Sequence, residues 1–274
     1  VRSISSRQNP IVRTFRELAA HPPLDGSRLL LDGPHLVEEA RAAGLAIEHA
    51  AVSASRLEES SEVARLAAAL ARDAAHVVAV TQPVMRVLSP VRSPSGIVAI
   101  AARQPSSVED ICGAPHAMIV APVDVQDPGN LGALLRAAEA LGATGAVVCG
   151  ASASPFSWKA VRGSMGSVLR LPVVGGVDAD ALVARARESG VRSIASVARG
   201  GNAAERIDWR GRVMLLIGGE GPGLRPATAA ACDERVTIPM QPPVESLNVA
   251  VAGALLLHEA RRLRGQTPMG SDPY

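Results

Sequence analysis

Aromatic residues make up only 2% of this 274-residue chain, and a single lysine, Lys159, accompanies its arginines. No Gly-Lys-Ser/Thr run exists anywhere, which excludes a phosphate loop of that type. Cys112, Cys149 and Cys232 stand far apart without a CxxC pair, which argues against a disulfide framework and a structural zinc site. His21, His35, His49, His76, His116 and His258 are equally scattered, so no metal site is expected. Long apolar runs are missing too. The stretches around Leu66 and Leu255 are short and broken by charge, so no secretory leader or membrane span is read and a cytoplasmic location is expected. Charge of one sign is also absent: 28 basic against 26 acidic residues leave a formal +2, too little to indicate a partner by itself.

Apolar residues, mostly alanine, valine and leucine, are 47% of the chain. With few aromatics, this suits helices packed on a parallel sheet, whose strands read as short continuous apolar runs. The length favours two domains. Short strands are expected at 28–31, 47–52, 76–80 and 96–101, with helices after Pro10 and at 36–43, 61–71 and 84–88. Little periodicity is visible over 103–115, where the boundary is placed. Strands then recur at 118–121, 146–149, 193–197, 213–217 and 235–238. Helices are expected at 128–141, near 158–162, at 179–189, near Ala227 and at 246–264. This alternation implies a ligand at the carboxyl ends of a mostly parallel sheet.

Arginines cluster locally. Arg2, Arg7, Arg13 and Arg16 precede the first acid, Glu17; Lys159, Arg162 and Arg170 share an acid-free stretch; Arg261, Arg262 and Arg264 end the last helical run. Such patches can bind phosphate on a nearly neutral protein, or can simply be solvated surface.

Three segments carry the chemistry. In Asp127-Pro128-Gly129-Asn130-Leu131-Gly132, Asp127 is a good N-cap and Pro128 suits the first helical position. Gly132, Arg136 and Glu139 then share a helix face. Arg136 could merely pair with Glu139, and Asn130 could be a local hydrogen-bonding residue. Next, Leu215-Leu216-Ile217 releases into Gly218-Gly219-Glu220-Gly221-Pro222-Gly223-Leu224. A dinucleotide fingerprint is a weak match there, because Pro222 breaks the helix entry and the last GxxG spacing is missing. A tight turn, or a loop offering main-chain groups to an adenine edge or ribose, remain. Third, Ile238-Pro239-Met240 leads through Pro242-Pro243 to Glu245-Ser246-Leu247-Asn248. Ser246 can cap the last helix, with Asn248 in its first turn.

In this order the three segments resemble the SpoU/TrmH family of RNA ribose 2'-O-methyltransferases, within the trefoil-knotted methyltransferase superfamily. Asn130-x-Gly132-x-x-x-Arg136 resembles the first family motif, 217–224 the second, and 238–240 with 245–250 the third. Arg162-Gly163-Ser164-Met165-Gly166 also looks like the family. Ser6 to Pro10, 31–39 and 96–99 resemble, more loosely, the small ribosomal-protein-like domain of the two-domain thiostrepton-resistance-type enzymes. The resemblance implies an α/β fold with a mostly parallel sheet, helices on both faces and a C-terminal trefoil knot, although connection rules alone favour an unknotted sheet. It implies an RNA substrate-binding domain at 1–105 and a knotted S-adenosylmethionine-binding catalytic domain at 115–268.

The implied activity is methyl transfer from S-adenosylmethionine to a ribose 2'-hydroxyl in structured RNA, with ribosomal RNA favoured over transfer RNA. A non-catalytic RNA-binding protein that keeps the fold is the competing class. The implied catalytic residues are Arg136, Asn130, Glu220, Ser246 and Asn248, the last four orienting Arg136 and the substrate. Arg136 would act at the ribose either as proton acceptor or as an electrostatic and positioning group. The cofactor would contact Ala195, Ser196, Gly218, Gly219, Ile238, Leu247 and Asn248; RNA would contact Arg7, Arg136 and Arg162. A homodimer through the knotted domain is implied by the resemblance alone.

Overall fold

The computed structural model describes residues 2–265. In chain order it runs β1 (Arg2–Ile4), α1 (Pro10–Ala20), β2 (Arg28–Asp32), α2 (Pro34–Ala42), β3 (Ala46–Ser53), α3 (Ala54–Glu59), α4 (Ser61–Arg72), β4 (His76–Val80), α5 (Gln82–Leu88) and β5 (Ile97–Ala102). Then come α6 (Val108–Gly113), β6 (Met118–Val123), α7 (Pro128–Ala140), β7 (Gly145–Cys149), α8 (Trp158–Gly163), α9 (Ser167–Arg170) and β8 (Val173–Val177). The last third is α10 (Ala179–Glu188), β9 (Arg192–Ser196), β10 (Asn202–Ala203), β11 (Val213–Gly218), α11 (Pro226–Ala231), β12 (Glu234–Thr237) and α12 (Val249–Leu263). Among the described residues no helix is long and apolar enough to cross a membrane.

Two compact units form: Val1–Pro105 with Ser154–Arg170, and Ser106–Ala153 with Leu171–Tyr274. The first holds a five-stranded sheet in the order β1-β4-β3-β5-β2. It is mixed, with β5 antiparallel to both β2 and β3. Segment 154–170 lies inside the domain expected at 115–268, yet it clusters with this first unit for identifiable reasons. Phe156 is fully buried, Gly26 leaves room for its ring, and the Arg103 guanidinium stacks 5.2 Å from its centroid. Trp158 packs against the core built from Val12, Phe15 and Leu18, and Arg170 pairs with Glu39.

The second unit is a seven-stranded, wholly parallel sheet in the order β10-β12-β9-β11-β6-β7-β8. β6 and β7 are buried along their whole length and β11 nearly so, as strands covered on both faces must be. The chain steps outward from β6 to β7 and β8, crosses back to β9, and later fills the gap between β9 and β6 with β11. Strand order therefore reverses beside β6, and the carboxyl ends around that reversal are where an open parallel sheet takes its ligand. Segment 103–115, aperiodic in sequence, contains α6, started by a reciprocal capping box between Ser107 and Asp110.

The last helix is fixed at both ends. Near its start Gly253 lets it sit against α7, since a Cβ there would lie 2.2 Å from Leu134 Cδ1. At its end the Arg264 guanidinium donates to the carbonyls of Trp209 (2.7 Å), Gly211 (2.8 Å) and His116 (3.1 Å). Burial lowers the pKa of that arginine, and the three carbonyls offset the cost of enclosing its charge.

Candidate active site

The site starts from a close approach of main chain to main chain. Gly218 ends β11 opposite Val123 of β6, and the Gly219 N–H donates to the Val123 carbonyl at 2.7 Å. A Cβ on Gly219 would stand 2.0 Å from the Asp124 carbonyl oxygen, and one on Gly218 would stand 2.3 Å from Gly223 C and Leu224 N. All these neighbours are backbone, so a side chain at Gly219 would force the loop off the end of β6, and one at Gly218 would force the loop open against its own return at Gly223 and Leu224. Across the sheet, the turn after β9 is held to β12: Thr237 Oγ1 donates to the Val197 carbonyl (3.0 Å) and accepts from the Gly201 N–H (2.9 Å).

Between these walls lies a cleft of about 440 Å³ bordered by 196–198, 217–224, Ile238, Met240, 245–249 and Ala252. Of the expected cofactor contacts, Ser196, Gly218, Gly219, Ile238, Leu247 and Asn248 line it. Ala195 does not: it is fully buried in the sheet core beside Ala121, Met214 and Leu216, because successive residues of a strand face opposite sides. Val197, Met240, Pro222 and Glu245 also border the cleft, although none was among the expected cofactor contacts. The last three sit within or beside the sequence motifs, and Val197 follows directly from the end of β9. The N–H and C=O groups of Ile238, Met240 and Leu247 make no hydrogen bond among the described residues, which leaves them available to a ligand.

Three of the five expected catalytic residues form one relay. Asn130 Nδ2 donates to Glu220 Oε1 at 2.5 Å, and Asn248 Nδ2 donates to Asn130 Oδ1 at 2.9 Å. Asn248 Oδ1 in turn accepts from the N–H groups of Ala250 (2.9 Å) and Val251 (3.4 Å). A carboxylate only accepts and a helix N–H only donates, so both amide orientations follow from their neighbours. Upstream, Asp127 Oδ1 accepts from the Asn130 N–H at 2.7 Å and starts α7, with Pro128 at its first position.

Two expectations change. Asn248, not Ser246, caps the last helix, which begins at Val249; Ser246 is exposed on the cleft wall and makes no hydrogen bond among the described residues. Arg136 is exposed on α7, outside the cleft lining, and its guanidinium has neither hydrogen bond nor ion pair among the described residues. It therefore pairs with neither Glu139 nor the relay, and Asn130, Glu220, Ser246 and Asn248 do not orient it by direct contact. Asn130 and Arg136 are six residues apart, which turns them to different faces of the helix. Arg7, just before α1, and Arg162, in the last turn of α8, are exposed on the first unit. Arg162 lies close enough to lower the pKa of Asp32, although burial outweighs it and raises that carboxyl overall.

Burial disfavours the thiolate form of all three cysteines. Burial pushes Cys149 up to about 12 and Cys232 up to about 11. No group of three or more His, Cys, Asp or Glu side chains able to hold a metal forms among the described residues.

Residues 117–258 match the SpoU rRNA Methylase family, and residues 9–99 match an MRM3-like substrate binding domain. An uncharacterized tRNA/rRNA methyltransferase of Synechocystis is 33% identical, over 96% of this chain and 94% of its own length. Mycobacterial tRNA/rRNA methyltransferases match over about half their length, 48% in Mycobacterium marinum. A solved RNA 2'-O ribose methyltransferase is 31% identical with a TM-score of 0.79, covering 96% of this chain and 99% of its own. The AdoMet-bound rRNA methyltransferase from Sinorhizobium meliloti is 30% identical with a TM-score of 0.81, covering 95% and 97%. The α/β fold with its parallel sheet is that of the knotted methyltransferases.

The relay separates two roles of Asn248. Asn248→Ala removes both the cap and the donor to Asn130, and should cost about 1 kcal/mol of stability. Asn248→Asp keeps the cap but cannot donate, so thermal unfolding should stay near the parent while ligand affinity at the cleft falls. Equal stability of the two variants would show that the cap carries no weight.

Proposed function

The chain belongs to the SpoU family of RNA methylases, and from that premise we propose that it methylates a ribose 2'-hydroxyl in structured RNA, ribosomal RNA foremost, with S-adenosylmethionine as methyl donor. The observation that carries this reading is the cleft at the strand-order reversal, walled by a glycine loop and by unengaged main-chain groups at Ile238, Met240 and Leu247. Free N–H and C=O groups beside apolar Ile238 and Leu247 suit a flat heterocycle whose edge is read by backbone and whose faces meet aliphatic side chains. When bound, S-adenosylmethionine supplies an activated methyl group.

A ribose hydroxyl is a weak nucleophile, so its proton must leave or its developing charge must be stabilised. A guanidinium offers only donors and no acceptor, so Arg136 is assigned electrostatic stabilisation and positioning of the ribose oxygen. All its donors are uncommitted within the described chain, as a group that meets substrate requires. The Glu220–Asn130–Asn248 relay holds the glycine loop to the starts of α7 and α12 and keeps the cleft formed. Support for ribosomal RNA comes from the family match and from the substrate-binding match over 9–99. Arg7 and Arg162, both exposed and free of ion pairs among the described residues, supply phosphate contacts on that unit. A second copy of the chain is supported by Val251 and Leu255, one helical turn apart on α12 and 49% and 48% exposed.

Arg136→Ala should lower methyl transfer by about 100-fold or more while S-adenosylmethionine still binds; full turnover by that variant would remove its assigned role. Mapping the methylated nucleotide after incubation with separate ribosomal and transfer RNA pools decides the substrate, and methylation confined to transfer RNA would overturn the ribosomal assignment. Arg7→Ala with Arg162→Ala should weaken RNA binding and reduce the slope of log affinity against log salt by about 2. An unchanged slope would take phosphate contact away from that pair. Sedimentation should show a dimer that Val251→Glu converts to monomer, and a monomeric parent would end the dimer proposal.

A further inference from the structure

The cleft has one sign of charge. Among the described residues only two charged side chains border it, Glu220 and Glu245, and neither a lysine nor an arginine does. Glu220 is committed to Asn130. Glu245 stands on the other wall with its side chain 79% exposed, paired at 3.1 Å with Arg199, which is 83% exposed and lies outside the lining. Arg199 is therefore the opposing charge at Glu245, and the positive end of α12 has its Ala250 and Val251 N–H groups already occupied by Asn248. The side-chain charge in the lining is thus negative, partly offset by Arg199 beside it.

That sign matters for a methyl donor because its charge changes when it reacts. The donor sulfur carries three carbons and a positive charge. On transfer the methyl–sulfur bond breaks, its electron pair stays on sulfur, and the methyl carbon bonds to the ribose oxygen, whose proton is lost to solvent. The spent thioether therefore differs from the donor by one methyl and one positive charge. Main-chain hydrogen bonds to the rest of the molecule cannot tell the two apart, whereas a carboxylate at the cleft can.

We propose that Glu245 is the residue by which this cleft prefers the positively charged donor over the spent thioether, with Arg199 as the counter-charge that moderates the preference. The proposal rests on the methyltransferase reading of the cleft. It makes exposure a functional property: a rim carboxylate acts on a bound ion through solvent, strongly enough to bias exchange and weakly enough to let ligand leave. The expected size of the preference is about five- to tenfold, the scale of one solvent-screened charge pair.

The test is calorimetric titration of the full chain with S-adenosylmethionine, with S-adenosylhomocysteine, and with an analogue carrying an amine in place of the methylsulfonium. The parent should bind the donor and the amine analogue about five- to tenfold more tightly than the thioether, with the gap narrowing as salt rises. Glu245→Gln should bring the ratio near one, mainly by weakening the two cations. Arg199→Gln should widen it. Both side chains are exposed, and circular dichroism checks that both variants fold. A ratio unchanged in Glu245→Gln, an equal loss for all three ligands, or a narrowing in Arg199→Gln overturns the assignment. Failure of the parent to bind any of the three overturns the methyltransferase reading itself, an outcome distinct from tight binding without preference.

Discussion

The contact on which the second unit's chemistry depends is that between the main chain after β11 and the main chain after β6. Gly218 and Gly219 lie so close to other backbone that no side chain fits, and the Gly219 N–H extends the sheet ladder by one bond to Val123. Because the loop is pressed there, Glu220 arrives beside Asn130 at the start of α7. With a side chain at Gly219 the loop would stand off, the carboxylate would lose its amide, and the cleft wall would move with it. Both glycines are therefore needed for space, since neither is among those with positive φ.

From that approach follows a relay in which each partner has only one workable orientation. The carboxylate fixes the Asn130 amide, that amide fixes Asn248, and Asn248 presents its oxygen to the first N–H groups of α12. Segments ninety and more residues apart thus meet through side chains whose donors and acceptors are matched at every step. At the other end of α12, Arg264 performs an analogous service with three carbonyls. The helix is positioned by polar contacts at its two ends and by a glycine contact to α7 between them.

The division of labour at the site is equally physical. Main-chain groups and aliphatic side chains suit recognition of an invariant ligand, since neither titrates near neutral pH. Outside the relay, charge beside the cleft sits at the exposed pair Glu245 and Arg199, where solvent moderates it. Arg136 lies apart from both, on an exposed helix face, so the group assigned to the ribose and the walls assigned to the donor can be altered independently.

The sequence by itself determined the alternation of strands and helices, the parallel second sheet and the three segments, two of which line the cleft while the first braces them through Asn130, because apolar runs, caps and glycine turns act over a few residues. The Asp127–Pro128 start of α7 and the strands at 76–80 and 213–217 are of this local kind. Tertiary structure alone decided which polar residues meet. Asn130, Glu220 and Asn248 are joined, whereas Arg136 and Ser246, drawn from the same motifs, stay outside the relay. It also decided that Asn248 rather than Ser246 caps α12, that Ala195 turns into the core, and that 154–170 packs with the first unit under Phe156 and Trp158. Each of these depends on strand order, pleat phase or a partner far along the chain, and local spacing carries no information about any of them.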